Sequence, residues 1–202
     1  MLSTLRNDVS VILQRDPAAR YALEVVLTYP GLHAVWSYRL AHALWGMGLK
    51  LPARVVSSMA RVVTGVDIHP AARIGEGLFI DHATGAVIGE TAEVGDDVTM
   101  YHGVTLGGRT TVAGKRHPTV GDRVMLGAGC KILGPVTIGD DSRIGANAVV
   151  VHDVPANSVM VGVPGRLLAP EGHVVGPVEV VELIHRVGEL ERYLSEDDDF
   201  TI

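Results

Sequence analysis

The hydrophobic pattern of the chain changes period once, near residue 66. Before that point apolar residues follow helical spacing, beginning with Leu2, Leu5, Val9, Ile12 and Leu13. Asp16-Pro17 reads as the start of a second helix, with Asp as N-cap and Pro at the first helical position. Tyr29-Pro30-Gly31 reads as a break. The apolar segment after it, running from Leu32 to Gly48, predicts a helix that ends on Gly46 and Gly48. Pro52 opens a shorter helix that ends near Gly65.

From residue 68 the apolar positions recur every six residues. They are Ile68, Ile74 and Ile80, then Ile88, Val94, Met100 and Leu106, then Val120, Leu126, Ile132, Ile138, Ile144 and Val150. A glycine directly follows many of them, as in Ile74-Gly75 and Ile138-Gly139. A period of six suits neither an amphipathic helix nor a single strand. It suits a solenoid in which each hexad makes one short strand and one turn, with the apolar residue pointing to the axis. Three hexads then close a triangular coil, and coils stack at roughly 4.8 Å through backbone hydrogen bonds. Counted modulo six, the phase slips by two between Ile80 and Ile88 and again between Leu106 and Val120. The slips fall at DHATG (81–85) and at the polar loop 108–118. Insertions in a solenoid become external loops, often on the binding face. These two are therefore expected to carry the chemistry, with His82 and Arg116 brought together.

The predicted fold class is α+β. An N-terminal helical domain (1–65) precedes a left-handed parallel β-helix (66–168), followed by a C-terminal helix and acidic tail (169–202). Within that last part, residues 179–194 read as one helix, and the final residues have no periodicity.

Composition narrows the picture. Aromatic residues are only 4% against 47% hydrophobic, so the core must be built from aliphatic side chains and glycine, as repetitive stacking requires. Cys130, the single cysteine, excludes an intramolecular disulfide; its place in an apolar repeat reads as a buried, inert thiol in a reducing compartment. Residues 171–202 hold nine acids and two Lys/Arg, so the body of the chain is almost neutral and nucleic acid is not the expected partner. Neither a secretory apolar run nor a membrane-length apolar stretch is present, which predicts a cytoplasmic protein without a membrane partner.

Several segments resemble the serine acetyltransferases of bacterial and plant cysteine synthesis. They are VDIHP (66–70), DHATGAVIGE (81–90), TLGG (105–108), KRHP (115–118), LGAGCKILG (126–134), IGANAVVV (144–151) and GVPGR (162–166). RDPAAR (15–20) and the segment 31–45 extend the likeness into the helices. The resemblance implies acetyl transfer from acetyl-CoA to the hydroxyl of L-serine, in a homotrimer of β-helices packed side by side. In longer members, helices preceding RDPAAR join two trimers; fewer precede it here, so the dimer of trimers stays open.

The residues allow that chemistry. A serine hydroxyl needs a base, and histidine titrates near working pH. A carboxylate on the other ring nitrogen would fix the tautomer. His82 and Asp67 lie 15 residues apart, close to one coil of 18, and the resemblance assigns them as base and orienting acid. It further implies Asp16 and Asp81 for the substrate ammonium, and Arg116 and His117 for its carboxylate, where an Arg fork is suited. Gly107 and Gly108 would let backbone approach the thioester, Ala128 and Ala146 would meet the pantetheine arm, and Arg143 or Lys131 would reach phosphates. No metal is expected. L-cysteine is the implied inhibitor, and a terminal isoleucine, Ile202 here, the implied ligand of O-acetylserine sulfhydrylase.

Three other readings share parts of this pattern. One is a hexapeptide acyltransferase for another hydroxyl, such as homoserine or a sugar. Another is a zinc hydratase of the γ-carbonic-anhydrase type, drawing on His69, His82, His102 and His117. The last is a non-catalytic scaffold for the sulfhydrylase.

Overall fold

The computed structural model describes residues 2–168 and 174–175. The helix expected at 179–194, the acidic tail and Ile202 lie outside the described residues.

Four helices come first: α1 (Leu2–Arg15), α2 (Ala22–Thr28), α3 (Pro30–Gly46) and α4 (Lys50–Thr64). One expectation fails here. Asp16-Pro17 does not open a helix; it ends one. The Asp16 N–H donates to Ile12 O at 2.9 Å, closing the last turn of α1, and Pro17 disfavours helical angles in the residue before it. Asp16 then accepts the Ala18 N–H, and α2 starts only at Ala22, with no side-chain cap at Tyr21. At the other end of the bundle Gly65 adopts the left-handed conformation (φ 73°) as the C-cap of α4.

The strands, numbered along the chain, form three walls of a left-handed parallel β-helix. The first wall stacks β1 (Asp67–Ile68), β4 (Val87–Ile88), β7 (Thr105–Gly107), β10 (Lys131–Leu133) and β13 (Val149–Val150). The second holds β2 (Arg73–Ile74), β5 (Glu93–Val94), β8 (Thr119–Val120) and β11 (Thr137–Ile138). The third runs β3 (Phe79–Asp81), β6 (Thr99–Tyr101), β9 (Met125–Leu126), β12 (Arg143–Ile144) and β14 (Val159–Val161). Anchor pairs with anchor throughout: Ile68 with Ile88, Ile88 with Leu106, Leu106 with Ile132, Ile132 with Val150. Both slips of phase are therefore absorbed at corners and the register survives them. Except for Ile74, which is half-buried, every anchor is buried. Burying one such side chain contributes on the order of 1.5–3 kcal/mol, so the axis is the main store of stability.

At the C-terminal end the parallel stack gives way to an antiparallel exit. β15 (Arg166–Leu168) folds back antiparallel on β14, and β16 (Val174–Val175) pairs antiparallel with β15.

A stack of coils has two open ends, and at the N-terminal end the carbonyls of the first coil have no coil before them to pair with. The helices supply donors instead. Ser57 donates to Ile68 O at 2.6 Å, Tyr38 to Ala72 O at 2.8 Å, and His42 Nδ1 meets Pro70 O at 2.8 Å. α3 also lies directly on β3: a Cβ at Gly31 would stand 2.0 Å from Ile80 O, so only glycine fits. A second apolar cluster of Val11, Ile12, Val25, Leu32 and Phe79 joins α1, α2 and α3 to the outside of the third wall. Among the described residues no helix is long and apolar enough to cross a membrane.

Candidate active site

The walls meet at three corners, and most of the candidate residues fall at or beside two of them. DHATG turns the chain from the third wall into the first. It is a tight turn made of non-glycine residues in left-handed conformation, His82 (φ 56°) and Ala83 (φ 53°). That conformation costs about 1–2 kcal/mol per residue, and here it throws the imidazole outward: the His82 side chain is 76% exposed. Its Nε2 lies 3.9 Å from Asp81 Oδ2 at the end of β3.

Asp16 reaches the same neighbourhood from the helices. Its Oδ1 accepts the Ala18 N–H at 2.8 Å and its Oδ2 accepts the Tyr29 hydroxyl at 2.7 Å. These bonds, the one from Tyr29 above all, hold its carboxyl below the usual range, with a smaller contribution from His82. Arg15 ties the segment to the solenoid by donating to Asp97 Oδ1 (2.7 Å), Asp97 O (2.9 Å) and Thr99 Oγ1 (3.2 Å). Asp16, Asp81 and His82 are thus brought together, two carboxylates beside one imidazole.

The same corner continues up the stack. Coil by coil it is occupied by His102, Ala128 and Ala146, linked by Gly129 N–H to His102 O and Asn147 N–H to Ala128 O, both at 2.8 Å. The His82 and His102 rings are 5.9 Å apart and edge to face. Two of the residues expected to meet a pantetheine arm therefore share one edge with the expected base. Arg143 is exposed on the third wall, at the start of β12. Lys131 folds onto the carbonyl of Gly103.

Arg116 and His117 stand elsewhere, at the first–second corner where the 108–118 loop re-enters the stack. His117 is buried, and its Nδ1 accepts from the Thr91 N–H (3.2 Å) and lies 2.9 Å from the Thr91 hydroxyl. The proton of the neutral ring therefore sits on Nε2. Burial, then the Arg116 charge, push its pKa below the ordinary value. The ring fills the space over Gly89, where a Cβ would be 2.0 Å from His117 Cδ2. Arg116 donates from Nη2 to Glu90 and has no partner at Nε or Nη1 among the described residues. That bond holds the Glu90 carboxyl below the usual range. Gly108 lies against both, with Arg116 Cγ at 3.3 Å and His117 Nε2 at 3.4 Å from where its Cβ would be, and Gly107 ends the adjacent strand.

Asp67 lies on the first wall. With Arg54, His69, Glu90, Arg116 and His117 it lines a cleft of about 270 Å³. It faces Arg61 Nη1 at 3.3 Å and makes no hydrogen bond to His82 among the described residues. The expected meeting of His82 with Arg116 is likewise not found within one chain, because their two corners are separated by the width of the first wall. Nor do the four histidines gather: His82 and His102 share one corner, whereas His69 and His117 face the cleft.

Three contributors escaped sequence reasoning. Glu90 and Thr91 hold Arg116 and His117, and they sit in the GET step that comes after an anchor, where local pattern reads only as turn. Tyr29 stands before Pro30-Gly31 and so looked like punctuation.

Residues 117–152 match the family of bacterial transferase hexapeptide (six repeats). Fold and match together define the class: a hexapeptide-repeat protein of the bacterial transferase type. A serine acetyltransferase from Mycobacterium tuberculosis is 65% identical over 168 residues, covering 83% of this chain and 73% of the relative. Serine acetyltransferase of Neisseria gonorrhoeae in complex with serine superposes with a TM-score of 0.81 at 45% identity, over 83% of this chain and 69% of that one. A serine acetyltransferase in complex with cysteine gives 0.82 at 43% identity, over 83% and 70% of the two chains. The chain belongs to the serine acetyltransferase family.

Proposed function

We propose that the protein transfers the acetyl group of acetyl-CoA to the hydroxyl of L-serine, giving O-acetyl-L-serine and CoA, the step that opens cysteine synthesis from serine. The observation that carries this reading is the division of labour between two corners. Asp16 and Asp81 flank His82 at one; Arg116 and His117, whose Nε2 carries the ring proton, line the cleft at the other. A zwitterionic amino acid needs both kinds of contact, a carboxylate for its ammonium and donors for its carboxylate. A sugar acceptor needs neither.

Two corners of one solenoid can serve one substrate when solenoids pack side by side, so we place the site between copies in a homotrimer. The cleft of about 270 Å³ supports this, since it lies below the usual range for a drug-sized ligand and needs a second wall to enclose serine and acetyl-CoA together. Leu51, Val55, Met59, Val62 and Val63 form an exposed apolar stripe on α4, a surface of the kind that another copy covers. Acetyl-CoA lies in the groove between copies, with Ala128 and Ala146 along the pantetheine arm, Gly107 and Gly108 at the thioester, and Arg143 towards the phosphates.

In the reaction His82 takes the proton of the serine hydroxyl as its oxygen attacks the thioester carbonyl carbon. A backbone N–H at the glycine pair steadies the oxyanion. The C–S bond then breaks, and the imidazolium returns its proton to the departing thiolate. Asp67 orients His82 by leaving Arg61, an exposed pair whose loss costs only about 0–1 kcal/mol. No acyl-enzyme forms. Cys130 is buried at the axis with its thiol pushed up to about 12 by burial, which suits packing rather than nucleophilic attack. L-cysteine, shaped like serine at its ammonium and carboxylate, competes at the same site, and the terminal Ile202 engages O-acetylserine sulfhydrylase.

Release of CoA thiol from acetyl-CoA is the test, comparing L-serine, L-homoserine and a sugar. Turnover confined to L-serine is expected. Turnover with a sugar in preference to serine, or loss of turnover in a folded Cys130→Ala, would overturn the reading or its mechanism respectively.

A further inference from the structure

We infer that Tyr29 is a positioning residue for the substrate ammonium: its hydroxyl fixes the carboxylate of Asp16, and through it the affinity for the amino-acid acceptor. The inference rests on the serine reading above and extends it to a residue outside the expected site.

Asp16 lies on a non-helical segment between α1 and α2, where a carboxylate would ordinarily swing between rotamers. Here both oxygens are held, Oδ1 by the Ala18 N–H and Oδ2 by the Tyr29 hydroxyl. The two anchors differ in kind. The Ala18 bond is local and moves with the segment. Tyr29 is the last residue before α3, and α3 is fitted against β3 at Gly31 with no room for a Cβ. The tyrosine therefore transmits the position of the solenoid, and so of Asp81 and His82, to a carboxylate carried by another element. Each oxygen of Asp16 keeps a second lone pair for an ammonium, so the clamp orients the group without consuming it.

A purely structural role for Tyr29 is the rival account, because its ring packs on the cluster around Phe79. The hydroxyl separates the two. Packing needs only the ring, whereas orientation needs the O–H. Burial, followed by the hydrogen bond to Asp16, pushes the phenol up to about 12, so it stays a donor over the whole working range. The charged groups facing this pair are Arg15 beside Asp16, Glu24 on α2, Asp81 on β3 and His82 at the corner.

Tyr29→Phe keeps the ring and removes the bond. Steady-state kinetics of the full-length wild type come first, since absence of serine turnover there would fail the functional reading rather than this one. In Tyr29→Phe the KM for L-serine is expected to rise about five- to tenfold, the loss of one hydrogen bond to a charged group. The KM for acetyl-CoA and kcat should stay unchanged, because the ammonium contact is the same before and during acetyl transfer. In an Asp16→Asn background the same substitution should have no further effect on serine KM. An unchanged serine KM would overturn the inference. So would a parallel rise in both KM values with a lowered melting temperature, or fully additive effects of the two substitutions, any of which makes Tyr29 a packing residue only.

Discussion

Two corners of the solenoid use the same backbone conformation for opposite ends. At the second–third corner Asp97, Arg123, Asp141 and Asn157 stand one above another with φ between 56° and 59°. Beside them Asp96, Asp122 and Asp140 each accept a backbone N–H from the coil before, at 2.7–2.9 Å. Arg123 closes the column with a fork on Asp141, both bonds at 2.8 Å. The three aspartates and Arg123 are engaged there by the fold itself. At the third–first corner the left-handed pair His82–Ala83 inserts two residues, and among the described residues the nearest charged partner of its imidazole is Asp81 at 3.9 Å. The contrast separates scaffold from chemistry more cleanly than residue type does. Aspartates at one corner are tied to the stack itself, whereas the carboxylate of Asp81 at the other makes no hydrogen bond among the described residues.

The contrast can be tested by exchanging what each corner should lose. The largest effect is expected from His82→Ala, a fall in kcat of about 10²–10⁴-fold with an unchanged melting temperature, because the side chain is mostly exposed. A drop in melting temperature of the same variant would mean that the corner is structural after all. Next, Ile132→Ala at the axis should cost about 2–5 kcal/mol in denaturant unfolding, since the side chain is fully buried between Leu106 and Val150. Asp122→Ala should cost only about 1 kcal/mol, one exposed hydrogen bond to a backbone N–H, with kcat unaltered. The smallest effect is on the pH dependence of stability. His117 has a folded-state pKa below its ordinary value, so the unfolded chain binds the proton more readily. Its contribution is therefore flat at neutral pH and above, and turns destabilising as pH falls below the ordinary histidine value. His117→Gln should remove that part of the acid decline in urea unfolding.

The regular parts of the molecule were legible in sequence because their signal is periodic. The anchors from Ile68 to Val150 predicted the axis, and the glycines after them the turns. The site was legible only as a set of residues, not as an arrangement. Phase modulo six identifies an interruption but not its corner; that requires counting anchors by walls, which sends DHATG to the third–first corner and the 108–118 loop to the first–second. Asp16 misled for a local reason. Asp-Pro signals a helix start when the next residues are helical, and here Ala18 to Tyr21 are not. Tyr29 and Glu90 act over 13 and 26 residues of separation, distances at which no local pattern speaks.

The polar loop 108–118 leaves the stack after Leu106 and returns before Val120, and these two anchors pair with their neighbours as if nothing lay between them. Closing a longer or shorter excursion changes the free energy only slowly with length. Such a loop is an exchangeable part. Its exposed part can drift, lengthen or be replaced while the stack beneath keeps time, because the fastening to the coil below lies at its returning end, where Glu90 and Thr91 hold Arg116 and His117.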